Sequence, residues 1–256
     1  MLSFSTFWSD RLKAAGIHLA ISLAISALAA LLVFFVWYPY PYQEISGGRE
    51  LFLLVVAVDV VLGPLITLAV FSKSKPLREM RFDFLAIGLL QLSALIYGLW
   101  TVAVARPVHM IFVADRFEVV HAIEVDMSAI SKAPFDLQAL PIWGPTQLTL
   151  RGFRDSREQA DAMFAELAGA ALSVRPEFWQ SYDKGKANVL EKTRPVNELK
   201  KRFPARAADI QSIISKSATA EVNVGFLPLK GRNQFWTVLI DLKTAEPLGY
   251  LPLDPY

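Results

Sequence analysis

Three apolar stretches of about twenty residues dominate the first 105 positions: Ile17 to Trp37, Leu51 to Phe71 and Phe84 to Ala105. A helix rises 1.5 Å per residue, so each matches a hydrocarbon layer roughly 30 Å thick. A soluble core helix keeps a polar face, and none of these has one. They are read as transmembrane helices. Ala27-Leu28-Ala29 resembles a signal-peptidase site, but the apolar run continues through Leu31-Leu32-Val33-Phe34-Phe35-Val36-Trp37. That is too long for a signal-peptide core, so the first stretch is expected to be an uncleaved anchor.

The second stretch, LFLLVVAVDVVLGPLITLAVF, holds one charge, Asp59. A carboxyl group in hydrocarbon is costly unless it faces a protein interior or a partner. Asp59 is therefore expected to face other helices. Gly63-Pro64 follows one turn later and interrupts the backbone hydrogen-bond ladder. Counted from the start of its helix, Asp59 lies roughly 12 Å deep, level with Tyr97 of the third stretch and Ser26 of the first. Asp59, Gly63, Pro64, Tyr97 and Ser26 form the candidate intramembrane packing or partner site. A hydrogen bond from Tyr97 or Ser26 to Asp59 is expected.

Orientation follows from the Lys and Arg bias. Arg11 and Lys13 precede the first stretch, and Lys73, Lys75, Arg78 and Arg81 crowd the second loop. The first loop carries only Arg49. The N-terminus and the second loop are expected in the cytoplasm, and everything after Ala105 on the far side. Trp37-Tyr38-Pro39-Tyr40-Pro41-Tyr42 and Trp100 fit an aromatic belt on that far side. Phe4, Phe7 and Trp8 beside Arg11 and Lys13 fit either an interfacial helix or a plain tail.

Two parts follow: residues 1–106, a tail and a three-helix membrane domain, and residues 107–256, an exported domain. The exported part has about 150 residues, enough for one core. The chain has no cysteine, so disulfides, thiolate metal sites and cysteine nucleophiles are excluded. Its net charge of +2 speaks against nucleic acid as a partner. The domain reads as α+β. Val108–Val113 and Phe117–Ile123 form a hairpin, and Gln147–Arg151 is a half-buried strand. Asp155-Ser156-Arg157-Glu158 caps a helix whose Phe164, Leu167, Ala168 and Ala171 share a face. Two short helices carry Val196, Leu199 and Phe203, then Ala207, Ile210, Ile213 and Ile214. The chain closes in an antiparallel meander over Val222–Leu229, Phe235–Leu242 and Leu248–Leu251.

No nucleotide, zinc-protease or serine-hydrolase motif occurs. No catalytic, cofactor-binding or metal-binding residue is assigned. With Asp115-Arg116 as the hairpin turn, His109 faces Ala122 and His121 faces Met110. The two imidazoles then lie on opposite faces, as surface or edge residues. His18 sits near the cytoplasmic end of the first stretch, where it can reach head groups, and reads as structural. Gly47-Gly48 reads as a turn before the second stretch. Phe178, Trp179 and Tyr182 read as core. The basic run from Lys184 to Arg206 is either a docking surface or a set of solvated faces.

Several segments together carry a resemblance. Ala14-Ala15-Gly16-Ile17-His18-Leu19 opens the first stretch and Trp37-Tyr38-Pro39 ends it. Asp59-Val60-Val61-Leu62-Gly63-Pro64-Leu65-Ile66-Thr67-Leu68 fills the second, and Arg81-Phe82-Asp83 enters the third. Tyr97-Gly98-Leu99, Ala105-Arg106-Pro107-Val108, Asp115-Arg116-Phe117-Glu118-Val119 and Leu248-Gly249-Tyr250-Leu251-Pro252-Leu253-Asp254 follow. This pattern resembles the type IV pilin accessory proteins of the TfpX/TfpZ type, found beside pilin genes in Gram-negative bacteria. Residues 128–220 contribute little to it. The resemblance implies an inner-membrane protein with a periplasmic domain, the major pilin as partner, no cofactor and no catalytic residues. Pilins of this type span the bilayer with an apolar N-terminal helix below a globular head, a layout this chain would complement. Two other classes remain: a membrane-anchored periplasmic sensor, and a membrane enzyme that modifies pilin or an envelope lipid through Asp59, Glu44 or Glu50.

Overall fold

The computed structural model describes residues 4–72 and 75–256, with side chains from Trp8 onward in the first helix. Phe4, Phe7, Lys73 and Ser74, which entered the sequence reading, lie outside these described side chains. The chain divides into a unit of residues 1–43 and 47–105 and a second of Glu44–Ser46 with Arg106–Tyr256.

Three helices in the first unit are long and apolar enough to cross a bilayer: Trp8–Trp37, Gly48–Val70 and Leu77–Val104. In the first, α1 (Phe4–Leu31) runs without a break into a π-helical turn, Leu32–Trp37. The basic tail is thus the first turns of the long helix, not a separate interfacial one. After the short α2 (Tyr42–Ile45), the second helix is built from α3 (Gly48–Ala57), a π-helical segment Val58–Leu62 and α4 (Gly63–Val70). The widened segment lies immediately before Pro64. Proline offers no N–H and crowds the carbonyl four residues back, and an extra residue in the turn relieves both. The third helix is α5 (Leu77–Val104).

The second helix is the middle one: α1 packs along α4, and α5 along α3. On the first long helix, Ser22, Ser26, Ala29 and Val33 form the buried stripe. At one end Ala29, Val33, Tyr38, Phe52 and Val102 make a core. Tyr38 is fully buried and donates its hydroxyl to Val102 O at 3.0 Å. Gly47 begins α3 at φ 71°, and any Cβ on Gly48 would sit 2.4 Å from the Tyr38 ring. The two glycines do make the turn. Of the expected aromatic belt, Tyr40 is exposed, whereas Tyr38 and Tyr42 are buried. At the other end, Arg11 Nη1 donates to Leu68 O and Ala69 O at 3.3 and 3.2 Å, satisfying carbonyls in the last turn of α4. Elsewhere the surface is apolar all round, with Leu28, Leu54 and Leu90 each more than 60% exposed.

The second unit is built on one mixed sheet. Its strands are β1 (Pro107–Val113), β2 (Arg116–His121), β3 (Thr146–Leu150), β4 (Trp179–Ser181), β5 (Arg194–Pro195), β6 (Val224–Lys230), β7 (Phe235–Asp241) and β8 (Pro247–Leu251). The order is β4-β3-β1-β2-β6-β7-β8, with β5 on β6. The pairs β1/β3 and β2/β6 are parallel and the others antiparallel. The opening hairpin and the closing meander therefore fuse through β2 and β6.

The hairpin turn is Ala114-Asp115, one residue earlier than expected, with Ala114 at φ 54°. His109 consequently faces Val120. Two helices, Val196–Arg202 and Ala207–Lys216, cover β6, β7 and β8 through Val196, Leu199, Ile210 and Ile214. A second core gathers Val108, Ile111, Val120, Leu148 and Trp179. Asp155 caps α6 (Ser156–Leu167) by accepting from Glu158 N at 2.7 Å. The apolar face read on that helix is not a core face. Phe164 and Leu167 are 71% and 85% exposed, and Ala162 is the buried contact.

Candidate functional site

Asp59 lies in the π-helical segment and is 94% buried, at 6% exposure. Its surroundings are built from all three helices. His18 on α1 places Nδ1 2.6 Å from Thr67 Oγ1 on α4, and Nε2 2.7 Å from Gln91 Oε1 on α5. Gln91 Nε2 in turn donates to the Asp59 backbone carbonyl at 3.3 Å. The amide thus meets a carbonyl in the segment where the π-helical turn disturbs the ladder. Gly63 makes room for this crossing: a Cβ there would stand 1.8 Å from Gln91 Nε2 and 3.1 Å from His18 Nε2. One imidazole, one amide, one hydroxyl and one carbonyl tie three helices together.

The Asp59 carboxyl group stands apart from that chain of bonds. Its Oδ1 is buried and has no hydrogen-bond partner among the described residues. Asp59 lines a groove of about 610 Å³ walled by α1 and α5, with Ser22, Ile21 and Lys13 on one side and Gly88, Gln91 and Leu95 on the other. Among the described residues, neither expected donor reaches Asp59. Ser26 is buried in the α1 stripe. Tyr97 is 68% exposed and stacks at 5.9 Å on Trp100. It borders a different crevice, with Val55, Val58 and Gly98. Gly63 lies with Asp59 beside Gln91 and His18, whereas Tyr97 lines the other crevice. Sequence reading missed Gln91, Thr67 and the part played by His18. The usable signal was Gln91 itself, an amide inside an apolar stretch. His18 bridges two other helices through Thr67 and Gln91, a structural part as read, and it turns inward instead of toward head groups.

In the second unit the histidines are buried, at 1% exposure each, not at the surface or edge. His109 packs edge-on against Trp179, with ring centroids 4.6 Å apart, and its Nδ1 lies 2.7 Å from Thr146 Oγ1. Burial lowers its pKa to about 4. His121 points to the opposite face, where Nδ1 and the backbone N–H both engage Glu124 Oε2, at 2.9 and 2.8 Å. Burial alone would raise Glu124. The two hydrogen bonds from His121 and the charge of Arg232 outweigh it and hold the carboxyl below its ordinary range.

A cleft of about 390 Å³ adjoins His121, with Glu118, Ser173, Lys230 and Arg232 on its walls. Ser173 Oγ donates to Glu118 at 2.8 Å, so the hydroxyl already serves a carboxylate. No group of three or more His, Asp or Glu suited to a metal occurs among the described residues. The basic run is mostly paired: Lys186 with Asp183 and Glu246, Arg194 with Glu198, Lys200 with Glu221, Arg206 with Asp209. It is a set of solvated, charge-compensated faces. Phe178, Trp179 and Tyr182 are core, as read.

Comparison with known proteins identifies the company this architecture keeps. The fimbrial assembly protein FimB family profile matches residues 6–47. The serogroup I fimbrial assembly protein of Dichelobacter nodosus is 32% identical over 231 residues, 90% of each chain. The serogroup E1 protein of the same organism is 30% identical over the same share. The protein of serogroups C1 and C2 is 41% identical over 121 residues, 47% of this chain and 92% of that one. No solved structure matches. With a relative at this identity along nine-tenths of both sequences, the chain belongs to the fimbrial assembly protein family.

Proposed function

We propose that this chain is a multi-pass inner-membrane accessory protein of the TfpX/TfpZ type. In this reading it supports the stability, assembly or display of a type IV fimbrial subunit by touching that subunit directly. The carrying observation is the full-length likeness to proteins named for fimbrial assembly. The physical layout supports it. Three helices of membrane-crossing length precede a sheet unit, and a fimbrial subunit with one apolar helix below a globular head would meet both. Two weak contacts on one tethered partner reinforce each other through effective concentration. The Lys and Arg bias supports an N-terminus in the cytoplasm and residues 106–256 in the periplasm. The intramembrane cluster is bonded as a helix clamp, which fits a holding role better than a chemical step.

Orientation is the first test. Alkaline phosphatase fused after Tyr256 is expected to be active, and fused near Ser74 inactive. The reverse pattern would remove the sheet unit from the compartment of the fimbrial head and overturn the reading.

A further inference from the structure

The bonds of the helix clamp use the Asp59 backbone and leave its carboxyl group unused. A buried acceptor inside an apolar unit is costly when unpaired, and its presence implies a donor from elsewhere. Asp59 lines the groove between α1 and α5, so the donor would arrive there. The groove follows α1 from Asp10 to Ile25, about 22 Å at 1.5 Å per residue. That is most of a hydrocarbon layer.

Its wall on α5 includes Gly88, and a Cβ built there meets nothing within 4 Å. Glycine on an open helix face lets another backbone come close. We propose that this groove seats one transmembrane helix of the fimbrial subunit. That helix would lie over Gly88 and Ser22 and offer an N–H or O–H donor to Asp59 Oδ1. The inference rests on the proposed function and names the surface through which it works. A lipid tail brings no donor to the carboxyl. A membrane helix with small residues and one donor at mid-depth satisfies both the shape and the chemistry.

The test uses the full chain in native membranes that contain the fimbrial subunit. A photocrosslinking residue replaces Gly88 or Ile21 in the groove, or Leu28 or Leu90 outside it. The expected result is adducts with the subunit at Gly88 and Ile21, several-fold above the two controls. Asp59→Leu is expected to cut the groove adduct up to about tenfold, the scale of a membrane hydrogen bond. Asp59→Asn, which keeps a carbonyl acceptor, should retain most of it. Gly88→Leu should block the groove while the protein accumulates normally, because space for its side chain is open. Groove adducts with lipid alone, or with a second copy, would overturn the proposal, and so would equal loss in Asp59→Asn and Asp59→Leu. If the subunit is captured at exposed positions of the sheet unit such as Leu167 but not in the groove, direct contact stands and this seat falls. Capture of the subunit at no position would sink both.

Discussion

Gln91 carries more of the helical unit than its place in the sequence announces. Its Oε1 accepts from His18 Nε2 and its Nε2 donates to the Asp59 carbonyl, so Gln91→Leu strands an imidazole nitrogen and a backbone carbonyl together. Each such bond is worth about 1 kcal/mol in a membrane protein. The variant is expected to melt several degrees lower in detergent, read by thermal shift on purified full-length chain. An unchanged melting temperature would show that the clamp contributes nothing to stability.

His109 provides a residue-scale test in the sheet unit. Its folded pKa, about 4, lies below the ordinary 6.5. The unfolded chain therefore binds this proton first. The stability held through neutral His109 is complete above pH 6.5 and is lost as pH falls toward 4, by roughly 3 kcal/mol at most. Urea titrations of the full chain between pH 7 and 4 should show this slope, and His109→Gln should flatten it. A slope retained in His109→Gln would assign it to other groups.

Elements show where local pattern is a sound guide and where it fails. The cap at Asp155 and the helix after it are as the capping box indicates. The apolar positions of α6, however, do not find the core. Periodicity tells which residues share a face, and tertiary packing decides whether that face is covered. The same limit explains the site. Asp59 stands out as a lone charge, and Gly63-Pro64 as a break. Which residue of another helix meets them depends on helix rotation, and an estimate of depth alone pointed to Tyr97 and Ser26 instead of Gln91 and His18. In the sheet, the hairpin and the meander are legible as local units. The parallel pairings β1/β3 and β2/β6 join segments far apart in sequence, and no short-range pattern encodes them.

Two substitutions separate covered from uncovered aromatic residues. Phe164→Ser, on the exposed face of α6, is expected to change stability by less than about 0.5 kcal/mol. Phe178→Ala should cost about 3–5 kcal/mol. Phe178 is buried with Arg151 and Arg175 stacked on its ring at 4.8 and 4.7 Å. Denaturant titration of both variants checks the pair, and a large loss in Phe164→Ser would restore α6 as a core helix.

At the scale of the whole molecule, the function proposed for this chain is to hold a fimbrial subunit. A holder and an enzyme differ most plainly in their dependence on amount. An enzyme turns over, so a few copies suffice, whereas a holder protects only what it binds. The direct measurement is fimbrial subunit abundance and surface fimbriation in cells lacking the native gene, with this chain supplied from a titratable promoter. The account predicts that both rise in step with the amount of chain until the subunit pool is covered. Full fimbriation at a few per cent of the native level would contradict it.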